Sequence, residues 1–502
     1  MSDETKNDNV VVLGGTTDEV ERKKAEHAKS KEDARDATTS ADPLMCVMRF
    51  AHVFRDDRGC PLAAVRRDGR TQLLDVGGRP FKLWLRRMLL DAGLQMTRGE
   101  QRDLREQLEG IALFTGSAER VFTRVAGTTE DSICIDLGTS TDDAARVTSR
   151  GWQVVPASPM RFTTSAGTLP LPRPEAACYR GVDGLRSFLN LRGQDFPLAI
   201  GWLLGALRPR GPYPILILQG EQGTGKSTAA RILTSLVDPR RAPLRTLPRT
   251  ERDLAVAAQH AHVLSYDNLS GISAAMSDAL CRASTGGGLS TRRLHTDSNE
   301  VVLEASRPII ATGIDEIATR PDLAERAILL RLPVVQGRVD EKTLMREFEK
   351  AAPSIFGSIL DGLVAALARI DSVTIDELPR MADFARWVTA AEPGLGWPEG
   401  TIVGAYRKMQ AEQTLDSFSE DPVAPLIPRL LGLAGGDEWA GTASELFDAL
   451  KKMTDTTHGF PRAPNALTAH LGRIAPLLRA KGYSFRSERT QAMRKLILER
   501  SS

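Results

Sequence analysis

Short apolar runs alternate with longer amphipathic stretches through the middle of the chain. Apolar runs rich in β-branched residues that end in glycine or small polar residues are typical of buried strands. Three such runs are Ile215–Leu218, Ala261–Tyr266 and Arg307–Gly313. A helical pattern, Ser227–Leu236, follows the first of them and is closed by Asp-Pro. The pattern predicts an α/β sheet with strand, loop and helix in direct succession.

The pattern changes before this segment. Residues 1–43 are polar, charged and free of aromatic side chains, which predicts a mostly disordered tail. From Leu44 to Arg173, hairpin signals at Asp57-Arg58-Gly59 precede two helical stretches, Phe81–Ala92 and Arg98–Phe114. Short strands are predicted at Val121–Val125 and Ile133–Leu137. The region therefore predicts an α+β domain, and its sequence does not reveal a role.

Helical patterns follow the α/β segment, and the C-terminus has the outline of a winged helix. Thr442 is a plausible N-cap for a helix that ends at Met453. The stretch Ala463–Lys481 would be a recognition helix carrying Arg473 and Arg479, and Tyr483–Leu498 would be a basic β-wing. The alternative is a helical protein-docking domain with a solvated basic surface.

The polar residues between the first strand and its helix form a phosphate-binding motif, G-x-x-x-x-G-K-S. Glycines let backbone N–H groups surround a phosphate at a helix N-terminus, where the helix dipole also favours anions. Lys226 would neutralise the β- and γ-phosphates, and the Ser227 hydroxyl would hold Mg²⁺. The motif predicts binding of ATP with Mg²⁺ by the residues Gly220, Glu221, Gln222, Gly223, Thr224, Gly225, Lys226, Ser227 and Thr228.

Polar residues also end the second and third strands. Asp267 and Asn268 follow the second strand, at the sheet edge where parallel α/β proteins bind ligands. Asp267 could hold Mg²⁺ opposite Ser227, whereas Asn268 can orient a water but cannot accept its proton. Glu221 is a weak candidate for the missing base. Thr312 ends the third strand and could contact the γ-phosphate or the attacking water; an ordinary buried strand is the alternative.

Composition adds limits to this picture. At 502 residues the chain predicts about three domains, and its net charge of +2 does not by itself indicate a nucleic-acid partner. The five cysteines are scattered without a C-x-x-C pair, which argues against a zinc site or a disulfide framework and suits a reducing cytoplasm. No apolar run reaches transmembrane length. We expect a cytoplasmic protein with no membrane partner.

A glycine-flanked basic stretch lies between the second and third strands. It carries Arg292, Arg293 and His295, which would suit contacts to a phosphate backbone. By composition alone, a solvated basic loop is the favoured interpretation.

The order of these motifs resembles superfamily 3 helicases, in particular the helicase part of phage- and plasmid-type primase–helicases, including the virulence-associated protein E group. It also resembles ATP-binding proteins of bacterial mobile elements. The similarity covers roughly Gly184 to Pro333. It rests on Tyr266-Asp267-Asn268-Leu269-Ser270, Leu280-Cys281-Arg282, Thr285-Gly286-Gly287-Gly288, Thr291-Arg292, Arg307-Pro308-Ile309 and Asp322-Leu323 with Arg326.

The resemblance implies an AAA+-like ATPase that assembles as a homo-oligomer, a hexameric ring, and acts on single-stranded or forked DNA. It implies that Arg292, Arg293 and His295 belong to a DNA-gripping hairpin. Arg326 would be an arginine finger reaching the neighbour's site, with Arg320 as second choice. The alternative for Arg326 is a surface ion pair with Asp322 at i,i+4.

Two residues depart from the family pattern. The family usually has Asn where Thr312 stands, and many members have Asp where Gly288 stands. Asn268 and Thr312 favour a rival function, a replication initiator that uses ATP as an assembly switch and unwinds nothing, whereas the channel-type hairpin favours a DNA motor. A small-molecule kinase is a third, weaker alternative, because nothing resembles an acceptor lid.

The predicted architecture is an α/β P-loop NTPase core, AAA+-like, between an α+β N-terminal domain and a C-terminal helical, winged-helix domain. The predicted boundaries are 1–43 (tail), 44–173 (α+β domain), 174–340 (ATPase), 341–428 (helical lid and linker) and 429–502 (winged helix).

Overall fold

The computed structural model describes residues 42–67, 69–127, 132–165, 167–176, 180–292, 300–303, 306–314, 317, 320–337, 340–454, 459–489 and 494–500. Residues 1–402 and 403–502 form two units, and each is described by itself. Almost all of the predicted disordered tail lies outside the described residues.

The region before the central sheet combines helices with four-stranded sheets. The helices are α1 (Pro43–Phe50), α2 (Arg79–Asp91) and α3 (Arg98–Gly110), and a π-helical turn, Ile111–Thr115, follows α3. The strands are β1 (Ala51–Asp56), β2 (Pro61–Arg67), β3 (Arg70–Asp75), β4 (Ala118–Glu119), β5 (Val121–Phe122), β6 (Val125–Ala126), β7 (Ser132–Asp136), β8 (Ala144–Thr148), β9 (Gly151–Val155) and β10 (Arg161–Phe162).

These strands form two four-stranded sheets, β3-β2-β1-β4 and β6-β7-β8-β9, and a separate pair of β10 with β5. The strand predicted at Val121–Val125 is therefore wrong as one element. Its first half, β5, pairs with β10, whereas Val125 begins β6, which pairs with β7. The chain changes partner between the two halves, and a single-strand pattern cannot show this.

The sheet β3-β2-β1-β4 buries one face against helices. Alternate residues of β1 and β2, such as Val53 and Val65, pack with Phe81 and Leu85 of α2 in one apolar cluster. The opposite face carries the other alternate set, which includes His52. Only one face of this sheet is therefore covered by α2 and α3.

The central region is a parallel α/β sheet. Its strands are β11 (Ile215–Gln219), β12 (Leu264–Leu269), β13 (Leu289–Arg292), β14 (Glu300–Leu303), β15 (Ile309–Gly313) and β16 (Ala327–Arg331). Its helices are a 3₁₀ helix (Gly181–Ser187), α4 (Phe196–Ala206), α5 (Lys226–Ser235), α6 (Glu251–His260), α7 (Ala274–Thr285) and α8 (Pro321–Ala324). The sheet order is β12-β15-β11-β16 with every pairing parallel, while β13 and β14 form an antiparallel pair of their own.

The second strand begins three residues later than predicted. Instead of pairing with a strand, the backbone N–H groups of His262 and Val263 donate to the Asp238 carboxylate, at 2.9 and 3.2 Å. The third strand begins at Ile309, after Pro308, which has no N–H to donate to a ladder. Both starts are therefore set by side chains near the strand.

A buried ionic cluster joins the two sheet systems. Arg124, fully buried, donates from Nε to Asp238 Oδ1 at 3.2 Å and from Nη1 to the Asp136 carbonyl at 3.1 Å. Arg240 donates to the other Asp238 oxygen at 2.9 Å. Burial alone would raise the pKa of Asp238, but the two arginines outweigh it and hold that pKa below its usual value. The cluster ties β6 and β7 to the C-terminal end of α5.

His262 lies in the same interior, with its Nε2 at 2.7 Å from the Ala206 carbonyl oxygen. Burial, assisted by Arg307, lowers its pKa to about 4. The folded-state pKa lies below the unfolded value of about 6.5, so acid protonates the unfolded chain first. Stability from neutral His262 is therefore complete above pH 6.5 and is lost as the pH falls towards 4.

We expect the stability advantage of wild type over His262→Gln to shrink by about 2 kcal/mol between pH 7.5 and pH 5. The check is urea unfolding of both proteins at both pH values. The test compares the difference in unfolding free energy between the two proteins, not the pH dependence of either one alone. Buried Glu392, whose pKa burial raises to about 7, makes the unfolding free energy of both proteins rise as the pH falls, opposite to the effect of His262. An advantage that is the same at both pH values would contradict the assignment.

Long helices complete the first unit. They are α9 (Glu341–Arg369), α10 (Ala382–Ala391) and a 3₁₀ turn, Glu392–Leu395. Among the described helices, α9 alone is long and apolar enough to cross a membrane, but more than half of its most apolar window is buried inside the protein. A Cβ on Gly357 of α9 would lie 1.7 Å from the Glu175 carbonyl oxygen. The helix is thus a core element against which the preceding linker packs at backbone distance.

The second unit has helices on one three-stranded sheet. Its elements are α11 (Thr401–Glu420, from residue 403 onward), α12 (Leu426–Leu433), β17 (Glu438–Gly441), α13 (Ala443–Lys452), α14 (Pro464–Ala480), β18 (Tyr483–Arg489) and β19 (Arg494–Arg500). The sheet order is β17-β19-β18, all antiparallel. Thr442 caps α13 in a capping box with Glu445. Helix α12 spans the domain boundary that the sequence predicted between residues 428 and 429.

Candidate nucleotide site

The loop between β11 and α5 is shaped by glycine. The φ angles of Gly220, Gly223 and Gly225 are +155°, +82° and +83°. Residues that carry a Cβ rarely adopt such positive φ angles, whereas glycine does so readily. A Cβ on Gly220 would also lie 2.8 Å from the Leu332 carbonyl oxygen. The loop thereby curls over the first turn of α5, whose free N–H groups favour an anion.

Lys226 is the first residue of α5 and bends back over the loop. Its Nζ donates to the carbonyl oxygens of Gly220, at 2.7 Å, and Glu221, at 2.6 Å. Burial lowers its pKa, and the nearby Asp267 carboxylate opposes that shift. The ammonium group is therefore held at the mouth of the glycine loop.

Ser227 and Asp267, 40 residues apart in the chain, are in direct contact. Ser227 Oγ donates to Asp267 Oδ1 at 2.9 Å and lies 3.1 Å from Oδ2. They meet because β11 and β12 run in the same direction in the sheet and end at the same edge. A hydroxyl and a carboxylate are oxygen donors of the kind Mg²⁺ takes. The residues present therefore fit a magnesium site.

Thr312, at the end of β15, also contacts Asp267. The sheet order places β15 between β11 and β12, and the almost fully buried Thr312 hydroxyl donates to Asp267 Oδ1. The Thr312 hydroxyl oxygen also accepts a hydrogen bond from the Asn268 backbone N–H at 3.0 Å. Thr312 thus holds both the Asp267 carboxylate and the Asn268 backbone. The sequence pattern does not indicate these two contacts.

Asn268 lies at an irregularity of β12. Its φ is +56°, the left-handed region that asparagine tolerates, and the β12–β15 register shifts between Tyr266 and Leu269. Its side chain is exposed at the edge of the site. Gly313 of β15 pairs with Leu269 just after the irregularity, and a Cβ on Gly313 would lie 2.6 Å from the Leu269 carbonyl oxygen. Glycine at position 313 therefore permits the irregularity of β12.

Sequence reasoning missed Asn190. Its Nδ2 donates to the carbonyl oxygens of Thr224, at 3.0 Å, and Pro333, at 2.6 Å. The amide thereby fastens the glycine loop to the segment after β16. No motif marks this residue, which precedes the loop by about thirty positions and reaches it only through the fold.

Both arginine candidates are paired with aspartates. Arg326 directly precedes β16, so it sits at the opposite edge of the parallel sheet from the phosphate loop. It is only 19% exposed and pairs with the Asp322 carboxylate, while Nη1 also donates to the Asp322 carbonyl at 2.9 Å. Arg320 is 41% exposed and pairs with Asp278 at 3.0 Å. The ion pair considered as the alternative for Arg326 is present.

The predicted DNA contacts are only partly within the described residues. Arg292 is the last residue of β13 and stands opposite Glu300 of β14. Arg293 and His295 lie outside the described residues.

Two family models match the chain. The model of the actinomycete integrative conjugative element (AICE) replication protein matches residues 182–409, and that of the AICE RepA C-terminal domain matches residues 423–502. No curated protein matches the chain.

Solved structures match the chain at low sequence identity. One, described as "SCCmec type IV Cch - active helicase", is 14% identical with a TM-score of 0.51, covering 90% of this chain and 93% of that one. The apo C-terminal region of NrS-1 is 13% identical with a TM-score of 0.42, covering 92% of this chain and 100% of that one. The first likeness supports an α/β, P-loop-like core.

Proposed function

We propose that this chain, which matches the replication protein of actinomycete integrative conjugative elements in its central and C-terminal parts, is an ATPase that acts on DNA during replication of a mobile element. One observation carries the proposal. The Ser227 hydroxyl and the Asp267 carboxylate lie in contact beside a glycine loop that begins a helix. That arrangement suits MgATP and has no evident use otherwise.

The roles of the residues follow from their positions. The loop N–H groups and Lys226 would bind and orient the phosphates, and Ser227 and Asp267 would hold Mg²⁺. The ion would supply charge neutralisation between the β- and γ-phosphates. Asn268, exposed at the edge of the site, would orient a water without taking its proton, so turnover would be slow unless Glu221 or another acid supplies a base.

A ring is the assembly that this arrangement favours. Arg326 lies at the sheet edge opposite the loop, so it does not reach the nucleotide of its own subunit. Arg326 would instead leave Asp322 and reach the site of the next subunit in an AAA+-like homo-oligomer, a hexameric ring. Turnover would then depend on protein concentration.

DNA is the proposed substrate of the ring. The β13–β14 pair, with Arg292 and the neighbouring Arg293 and His295, would grip single-stranded or forked DNA. The element order β17, α13, α14, β18, β19 is that of a winged helix, with the exposed Arg473 and Arg479 on α14 as the helix to enter a groove. This domain would add a duplex contact.

A second function is an ATP-dependent initiator that assembles but does not unwind. Asn268 favours it, because an amide cannot serve as a base. The Thr312 hydroxyl favours it as well, since it is occupied by Asp267 and the Asn268 backbone.

The deciding experiment is ATP hydrolysis over a range of protein concentrations, with and without single-stranded DNA. Turnover that rises with both concentration and DNA supports the ring motor. ATP binding with negligible turnover under every condition contradicts the motor and leaves the initiator.

We expect Thr312→Val to lower kcat/KM for ATP hydrolysis about 10- to 100-fold, because it removes a buried hydrogen bond to a carboxylate and leaves the Asn268 N–H without its acceptor. The Mg²⁺ concentration for half-maximal rate should rise as well. Thr312→Ser keeps the hydroxyl and should stay within about threefold of wild type. Equal rates for the two variants would show that the hydroxyl is dispensable.

A further inference from the structure

The face of the sheet β3-β2-β1-β4 that α2 and α3 do not cover holds a small cavity. The cavity has a volume of about 300 Å³, and its floor is His52 of β1 and Ala64 of β2, which stand opposite each other in the sheet. Arg66 and Thr71, also paired, extend the same face. The short Ala64 side chain between longer neighbours leaves the hollow.

Basic side chains from three separate elements line this cavity. They are Arg49 at the end of α1, Arg66 of β2 and Arg161 of β10. Arg49 and Arg66 are exposed, and among the described residues neither has a carboxylate within ion-pair distance. Two guanidinium groups therefore face the hollow with their charge uncompensated.

The acid nearest the cavity is already engaged. Glu119 accepts from Arg161 Nε at 2.8 Å and from Ser117 Oγ at 2.9 Å, and lies 2.6 Å from His52 Nε2. Burial alone would raise the pKa of Glu119, but these hydrogen bonds outweigh it and bring that pKa to about 2. Glu119 therefore fixes Arg161 and His52 in place and does not neutralise Arg49 or Arg66.

The cavity also has an apolar wall. Phe50, half-buried, and the more exposed Met48 line it beside Arg49. Positive charge next to an aromatic face is the combination that binds single-stranded nucleic acid, since guanidinium groups bind phosphates and a ring stacks with a base. The volume is at the low end of small-molecule pockets, so it suits one nucleotide and is too small for a duplex.

We infer that this groove, defined by Arg49, Phe50, His52, Arg66 and Arg161, binds the phosphate backbone of single-stranded DNA with one base against Phe50. The inference rests on the proposed function and gives the α+β domain a role, the binding of single-stranded DNA. Arg49 and Arg66 supply the phosphate contacts, and Arg161 is positioned by Glu119.

The test is fluorescence anisotropy of the full chain with a fluorescein-labelled oligothymidylate, without nucleotide, at several salt concentrations. The variant Arg49→Gln/Arg66→Gln should weaken binding about tenfold and reduce the slope of log Kd against log salt by about 1.4, roughly 0.7 for each lost phosphate contact. The matched control is Arg87→Gln/Arg102→Gln, with the same charge change on exposed helix positions of the same domain. The control should bind like wild type.

The outcomes separate this inference from the proposed function. If wild type binds the oligonucleotide and the groove variant binds equally well with an unchanged salt slope, the groove assignment is wrong and the proposed function stands. If wild type hydrolyses ATP but binds no DNA, both fail. An equal loss of duplex binding in the groove variant would overturn the single-strand assignment. Thermal unfolding and DNA-free ATP hydrolysis of the variant should match wild type.

Discussion

Lys226→Ala is expected to lower ATP turnover at least about 100-fold, because it removes the cation that lies at the mouth of the glycine loop. The Lys226 ammonium group is partly buried, which lowers its pKa, so water weakens its attraction for phosphate less than that of a surface lysine. A positive charge that meets the transferred phosphoryl group stabilises charge that develops in the transition state. The measurement is steady-state phosphate release at saturating Mg²⁺.

A charge-matched control separates this effect from a general loss of positive charge. Lys350→Ala removes an exposed lysine on α9 that is paired with Glu347 and should change turnover less than twofold. Lys226→Arg keeps the charge but not the compact ammonium group, and we expect it to remain strongly impaired. Turnover by Lys226→Ala close to that of wild type would contradict the assignment of the loop.

What the sequence predicted correctly is what depends on neighbours in the chain. The strand before the glycine loop and the helix after it are found within one residue of their predicted limits. The helix that begins after Thr442 is likewise where its N-cap places it, because the capping box involves residues three apart. Local spacing determines such features, so a single sequence is enough to find them.

What the sequence did not predict depends on contacts between distant residues. Thr312 meets Asp267 only because β15 lies between β11 and β12 in the sheet. Asn190 reaches the phosphate loop across 34 positions and carries no motif. Sheet order and long loops are not encoded in the period of hydrophobic residues, so these two contacts required the fold.

The assignments of Arg326, Arg293 and His295 stay predictions for different reasons. Arg293 and His295 lie outside the described residues. Arg326 has a described partner, Asp322, within its own subunit, and its proposed role needs a second subunit. A test of Arg326 therefore needs mixed assemblies, in which a subunit lacking the arginine is combined with one that lacks Lys226.

The buried Arg124 is the residue whose loss should most affect stability. It is fully buried and makes contacts that span 114 positions of the chain, from β6 to the end of α5. Its guanidinium also donates to the Leu169 carbonyl at 3.0 Å. A buried ion pair need not add net stability, but removing one partner leaves the other charge uncompensated in a low-dielectric interior.

We therefore expect Arg124→Met to destabilise the first unit by about 3–5 kcal/mol. Methionine fills a similar volume, so the loss does not come from a cavity. It comes from the Asp238 carboxylate, which keeps Arg240 as a partner but loses Arg124, and from carbonyl groups without donors. The measurement is urea unfolding at neutral pH followed by tryptophan fluorescence. Arg120→Met, at a half-exposed arginine in the same segment, is the control and should change stability by less than about 0.5 kcal/mol. A loss below about 1 kcal/mol for Arg124→Met would show that the cluster does not hold the two sheets together.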